Sequence, residues 1–337
     1  MKKLEYTVRF ITPAFLGNAE QVGQWRTPPF KALLRQWWRV AYAADHNFDV
    51  DIADMRQEEG LLFGHAWLES DHDDKGNKLA ARKSQVRMRL DGIDANGTNI
   101  WKLGSQRGVA PLPMDISTSY AWFGLVRRGA RQPDKSGIKP NEGEGQRLLR
   151  IAYPEQHETR ISMAIRLIHA FGQAGSRSRG GWGSFDLHEV TPLNAWELAS
   201  LARPIEQCLA HDWAMSLARD QSGLCIWYSR NSYPSWDKAM RALASERRTI
   251  RTALKTVRDD LRPALGFAGT GRMPSPLRWK VISNSQGHLS VRVFAMPHRI
   301  PADSGKSMTP EQIQRAWAAV FKALDASTTL VRHSEQP

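Results

Sequence analysis

The run Phe171-Gly-Gln-Ala-Gly-Ser-Arg-Ser-Arg-Gly-Gly-Trp-Gly-Ser-Phe185 is the part of this chain least free to be ordinary helix or strand. Its glycines, Gly172, Gly175, Gly180, Gly181 and Gly183, let the backbone take positive φ and approach a ligand closely. The N–H groups of such a loop can form a concavity for an anion. Arg177 and Arg179 add fixed charge on planar donor forks that match phosphate. Trp182 adds a flat face on which a base can stack. Nothing in the run is equipped to break a bond. It reads as a clamp for a nucleic-acid backbone, and as plainly as a surface loop made basic for solubility. Gly175 to Gly180 has the glycine spacing of a Walker loop, but Gly181 and Trp182 stand where an NTP site needs Lys and Ser or Thr. A nucleotide hydrolase is therefore not expected.

Charge tips the balance towards the clamp. Over 337 residues, 47 Lys and Arg face 34 Asp and Glu, a formal net charge of +13. That excess is more than solubility needs and is usual for a protein that meets a polyanion. Only Cys208 and Cys225 are present, so neither a disulfide framework nor a cysteine zinc site organises the fold. Glu5 and Arg9 interrupt the apolar residues of the N-terminus, so no signal peptide is expected there. No apolar run reaches the length of a membrane span. The expected setting is a reducing cytoplasm, with no membrane partner and no cofactor or metal.

Periodicity supplies the elements. Leu4, Tyr6, Val8 and Phe10 alternate with polar residues as in a half-buried strand. Pro29 opens a helix with an apolar face of Phe30, Leu33, Leu34, Trp37, Val40 and Ala41. Lys31, Arg35 and Arg39 form a separate basic stripe at four-residue spacing, with Trp38 and Tyr42 projecting into it. That ridge is expected to touch RNA, unless Trp38 packs on a second layer of protein. A second helix is expected over 51–69, a polar turn at 72–77, and strands over 85–90 and 148–153. A mobile insertion is expected over 127–146, a helix over 161–171, and a strand from Trp182 to Val190.

The second half begins near Thr191-Pro192 and is expected to be helical to about 262. Arg247, Arg251, Lys255, Arg258 and Arg262 edge one helix, beside an apolar stripe of Ile250, Leu254, Val257 and Leu261. Strands 277–282 and 289–295 flank a turn at 284–287 as a hairpin. A final amphipathic helix runs from Glu311 to about Asp325. This order is α+β rather than a regular βαβ repeat.

Five blocks now occur in order: Ile11-Thr-Pro-Ala-Phe-Leu-Gly17, Pro29-Phe-Lys-Ala-Leu-Leu-Arg-Gln-Trp-Trp-Arg39, Glu59-Gly-Leu-Leu-Phe-Gly64, the loop Gly175 to Phe185, and Arg272-Met-Pro-Ser-Pro-Leu277. Together they resemble the RAMP superfamily of CRISPR systems, most specifically the first-numbered Cmr subunit of type III-B effector complexes. One position departs from the pattern. Gly180 stands where the family loop often carries a further Arg.

The resemblance implies two ferredoxin-like (RRM-like) domains packed together with helical insertions, here 1–190, holding the glycine loop, and 191–337. It implies a non-catalytic RNA-binding subunit of an antiviral interference complex, near the 3′ part of the crRNA and target, among other Cmr subunits. The RNA-binding residues expected on the two grounds together are Lys31, Arg35, Trp38, Arg39, Gly175, Arg177, Arg179, Gly180, Gly181, Trp182 and Arg272. The competing function is a metal-independent RAMP endoribonuclease that processes crRNA precursors. It needs a general base and acid, usually His, and neither His46 nor His65 sits in a recognisable motif. A generic DNA-binding protein has no helix-turn-helix or zinc-finger spacing here.

Overall fold

Strand β1 (Lys2–Phe10) lies inside a sheet, because its alternation buries one row of side chains while neighbours pair on both edges. The structure is a computed structural model that describes residues 1–17, 23–66, 68, 70–91, 100–101, 120–126, 137–140, 146–255, 260–268, 271–284 and 286–333. Helix α1 (Thr27–Asp45) comes after β1, with a proline in its first turn, where no N–H is missed. Helix α2 (Ile52–Phe63) starts at Asp51, whose carboxylate accepts from the N–H groups of Ala53 and Asp54. It stops at Phe63, short of the expected residue 69. Then come β2 (Arg87–Leu90), the short pair β3 (Ile100–Trp101) and β4 (Gly137–Ile138), β5 (Gln146–Tyr153), α3 (Glu158–Phe171) and β6 (Phe185–Leu187). The last is shorter than the strand expected from Trp182, because residues 175–183 turn continuously. Most of the 127–146 insertion lies outside the described residues, but Ile138 is buried and pairs with Ala14.

The stretch expected to be helical after 191 is mostly not. It holds short helices α4 (Ala195–Ser200) and α5 (Ile205–Cys208) around a small sheet of β7 (Ala202–Pro204), β8 (Leu217–Asp220) and β9 (Gly223–Leu224). Strand β10 (Ile226–Ser229) and helix α6 (Trp236–Ala253) come next. The hairpin is present as β11 (Leu277–Ser283) and β12 (Leu289–Ala295), and Asn284 Oδ1 holds its turn by accepting from the N–H groups of Gln286 and His288. Helix α7 (Pro310–Asp325) begins with a reciprocal cap between Thr309 and Gln312, and β13 (Leu330–Arg332) closes the order.

Two units share one topology. The first sheet runs β2-β5-β1-β6 and the second β11-β12-β10-β13, with every neighbouring pair antiparallel. In each, the main elements come in the order strand, helix, strand, strand, helix, strand. The mixed α/β class with antiparallel sheets is as expected. The apolar cluster of the first unit also takes in Leu198, Leu201, Leu217 and Leu224, so the stretch after 191 packs onto it.

The units are spliced along β11, an edge strand. An unpaired strand edge is a liability that proteins cover, and here the glycine loop covers it. Trp279 N–H donates to Arg179 O at 3.1 Å, Val281 N–H donates to Ser184 Oγ at 3.0 Å, and Gln173 Nε2 donates to Trp279 O. Leu277, Trp279 and Val281 point into the second core. The alternate residues point at the first unit: Arg278 lies 5.7 Å from the Trp37 ring centroid and Lys280 lies 5.4 Å from that of Phe185. Lys280 Nζ donates to His169 O at 2.6 Å, and Arg292 donates to Ala170 O. Two cations thus meet the open carbonyls and negative dipole end of α3. Burial pushes the Lys280 amine down to about 7. Burial and then the Lys280 charge take His169 down to about 4.

Candidate nucleic-acid interface

Two basic regions emerge, one beside α1 and one at the glycine loop. The first is a groove of about 710 Å³, lined in part by Lys31, Arg35 and Arg39. The stripe is as the spacing predicts, but it is not uncompensated. Glu59 on α2 is buried, with its carboxylate against the two arginines. Arg35 Nε donates to Glu59 Oε1 at 2.6 Å, and Arg39 Nε donates to Oε2 at 2.7 Å. Lys31 is lowered by desolvation, then by the charge of Arg35. Trp38 corrects the expectation of a stacking face here. It is 0% exposed, under α2, with its ring 5.8 Å from Phe63 in an edge-on contact. Tyr42 is buried beside it at 5.3 Å. A second protein layer claims both rings.

The second region is a cleft of about 490 Å³ between the glycine loop, the turn at 120–126, helix α6 and residues 265–275. Five arginines reach it: Arg177 and Arg179 from the loop, Arg247 and Arg251 from α6, and Arg272. Among the described residues, none of the five forms an ion pair with a carboxylate. The crowding shows in Arg177 and Arg247. Desolvation and then Arg272 lower Arg177, while desolvation lowers Arg247, with Arg251 and Arg177 adding to the effect. Burial takes Arg179 down to about 10, so it remains charged at neutral pH. Like charges held together without an ion-paired carboxylate create a positive field that suits an anion.

Arg177 and Arg179 are not equivalent. Arg177 is exposed, in a left-handed conformation with φ 56°. Arg179 is half-buried and donates from Nη1 to Ser275 O at 2.9 Å, so part of its fork already serves the splice. Gly180 explains its own presence by what lies above it. A Cβ there would stand 2.5 Å from Arg247 Nη1. The loop position that lacks an arginine therefore receives one from α6. Gly181 has φ 97°, and a Cβ there would stand 2.7 Å from Leu243 Cδ1, so α6 packs directly on the loop backbone.

Trp182 is a second correction. It is 0% exposed, so no base can stack on it. Its ring packs against Phe15 at 5.4 Å, Trp122 at 4.3 Å and Trp236 at 6.1 Å. Its Nε1–H donates to Ala121 O at 2.8 Å. An aromatic flanked by glycines looks the same in sequence whether it faces water or core. Here it anchors the turn that carries Tyr120, 5.3 Å beneath Arg247, and Phe123, 5.6 Å beneath Arg177. Sequence reasoning passed over that turn, which carries neither a charge cluster nor a periodic pattern.

Similarity to solved structures spans nearly the whole chain. The chain is similar to Cmr1 from Pyrococcus furiosus in its apo form, at 16% identity and a TM-score of 0.49, covering 96% of this chain and 97% of that one. It is also similar to a chain of type III-B Cmr-beta bound to cognate target RNA, at 11% identity and a TM-score of 0.45, covering 95% and 98%. A chain of Cmr-beta bound to cognate target RNA and AMPPnP, in the presence of ssDNA, matches at 12% identity and a TM-score of 0.46, again covering 95% and 98%. No family model and no curated protein matches the chain.

His65 and His46, the two histidines weighed for nuclease chemistry, each have partners in the fold. His65 is buried, with Nε2 2.6 Å from Asp71 Oδ2 and Nδ1 accepting from the Leu68 N–H. Arg82 also pairs with Asp71 and holds its carboxyl well below the usual carboxylate range. His46 stacks on Tyr42 at the end of α1, its ring 4.1 Å away. Burial raises the Cys208 thiol to about 11 and raises Cys225 as well, which removes both as thiolate ligands or nucleophiles at neutral pH. Among the described residues, no group of three or more His, Cys, Asp or Glu is placed to hold a metal. No described helix is long and apolar enough to cross a membrane.

Proposed function

We propose that this chain is a non-catalytic RNA-binding subunit of a type III-B CRISPR (Cmr) interference complex, acting in antiviral defence in the cytoplasm. Its partners are the crRNA and target RNA near their 3′ part, and the neighbouring Cmr subunits. The observation that carries the reading is the five-arginine cleft without an ion-paired carboxylate, built in part by the loop that resembles the family's. Guanidinium forks at such density suit a phosphate backbone. The two strand–helix–strand–strand–helix–strand units fit a pair of ferredoxin-like (RRM-like) domains, divided near residue 190, with the cleft at their junction. Lys31, Arg35 and Arg39 offer a second, weaker phosphate track, since Glu59 cancels part of their charge.

The described residues lining the cleft include no His, Asp or Glu, and its dense guanidiniums support a binding role. The test is binding of labelled crRNA by the purified chain, alone and assembled with its Cmr neighbours, across a salt series. Each arginine contact removed should lower the salt slope by roughly one unit. An Arg177→Ala/Arg272→Ala variant with an unchanged slope overturns the cleft assignment. Metal-independent cleavage of crRNA precursor by the pure chain, lost on one His→Ala change, overturns the non-catalytic role.

A further inference from the structure

We infer that Phe123 is the surface on which this protein stacks an unpaired nucleobase, while the arginines beside it hold the flanking phosphates. The inference rests on the RNA-binding reading above and names the chemistry of its ligand more closely: a single-stranded segment, not a duplex.

Phe123 is 69% exposed at the mouth of the arginine cleft. An exposed phenylalanine is ordinary by itself. This one is held out by structure on both sides. Ala121 and Leu125 are buried in the second core, Trp122 packs on Trp182, and the Ala121 carbonyl accepts from the Trp182 indole. The turn is therefore pinned at three points, and the residue between them faces solvent. The Arg177 guanidinium lies over the Phe123 ring at 5.6 Å and passes so close to Gly124 that a Cβ there would overlap it, at 1.7 Å from Nη2. An aromatic plane with a fixed cation against it is a preorganised platform for a flat π-system. A glycine at 124 is the condition for that packing.

The neighbourhood favours nucleic acid over a protein partner. Among the described residues, the charged side chains that line the cleft are Arg177, Arg179, Arg247, Arg251 and Arg272, all of one sign, and Arg177 is the one against the ring. Cations of one sign without an ion-paired carboxylate among the described residues match the uniform negative charge of a phosphate backbone. A base on Phe123 places its own phosphates within the reach of these guanidiniums. Stacking is indifferent to base identity, so the site is expected to bind single strands without sequence preference. Stacking between successive base pairs covers the faces that the ring needs, so duplex RNA would meet only the arginines.

The test compares the full-length protein with Phe123→Ala and Phe123→Trp against three probes: a labelled single-stranded oligoadenylate, the same strand in an RNA duplex, and inorganic polyphosphate. Phe123→Ala is expected to weaken oligoadenylate binding about five- to a hundredfold, to leave polyphosphate and duplex binding as they were, and to leave Tm unchanged. Phe123→Trp is expected to retain or improve the single-strand affinity. A strand with 2-aminopurine should show quenching with the wild type and none with Phe123→Ala. Equal loss on all three probes overturns the inference, because the ring would then only be positioning Arg177. Unchanged affinity for all three also overturns it, and if assembly with other subunits falls instead, the ring is a protein contact. Absence of wild-type binding to any probe, alone or in the assembled complex, removes the RNA-binding reading and this inference with it. Loss in Arg177→Ala/Arg272→Ala but not in Phe123→Ala removes the inference alone.

Discussion

The α1 groove and the arginine cleft look alike in sequence and differ in structure. Both are basic residues beside aromatics. In the groove, Glu59 reaches across from another helix and satisfies two of the three cations, and the aromatics are buried. In the cleft no carboxylate of the described residues pairs with an arginine, and one aromatic, Phe123, stays outside. The same composition thus makes a structural ion pair in one place and a cluster of cations without an ion-paired carboxylate in the other. Where the countercharge sits decides which, and the countercharge is brought by a non-local contact.

The largest effect that can break this comparison is at Trp182. If the indole is a pillar of the cleft, Trp182→Ala costs about 3–5 kcal/mol of stability by thermal or denaturant unfolding, and RNA affinity falls with it. Normal stability with lost affinity would return Trp182 to the RNA surface. Next is the groove. Arg35→Ala with Arg39→Ala leaves the Glu59 carboxylate buried and unpaired, at about 3 kcal/mol, the low end for a broken buried pair because both arginines are partly exposed. RNA affinity should barely change. A salt slope lower by about two units would make the groove an equal partner of the cleft.

In the cleft itself, Arg177→Ala with Arg247→Ala and Arg272→Ala should lower RNA affinity about a hundredfold or more at low salt, with unfolding close to wild type. A smaller effect is expected from Gly180→Ala. Its Cβ would displace the end of the Arg247 side chain and stand 3.3 Å from the Arg177 carbonyl oxygen, so stability should hold to within a small loss while affinity drops about twofold to fivefold by displacement of one guanidinium.

A separate effect concerns the splice between the units and is read as stability against pH. Lys280 titrates near 7 when folded, below its ordinary 10.5, so the unfolded chain holds more protons between those values. Stability should rise as pH increases from about 7 towards 10.5, and Lys280→Met should flatten that limb. His169 titrates near 4 when folded against an ordinary 6.5. Its contribution should be lost as pH falls from 6.5 to 4. A flat profile in His169→Asn confirms the origin.

What could be read along the chain is what neighbours decide. The alternation of Leu4 to Phe10, the Asn284 turn, the Thr309 cap and the apolar stripe of α7 each depend on residues a few positions apart. So does the basic edge at Arg247 and Arg251, which was visible as a stripe. Its destination was not, because α6 ends at Ala253 and meets the glycine loop only through the fold. The stretch after 191 misled because short strands such as β7 and β9, two or three residues long, carry too few residues for a period to register.

Local pattern therefore determined the α+β class, most long elements, the basic character and the arginines of the loop. The tertiary structure alone decided which aromatics are core, which cations are neutralised, and that Phe123 shares a cleft with five arginines. Burial and ion pairing are properties of what a side chain meets, and for Trp182, Glu59 and Phe123 the partners lie tens of residues away in the chain.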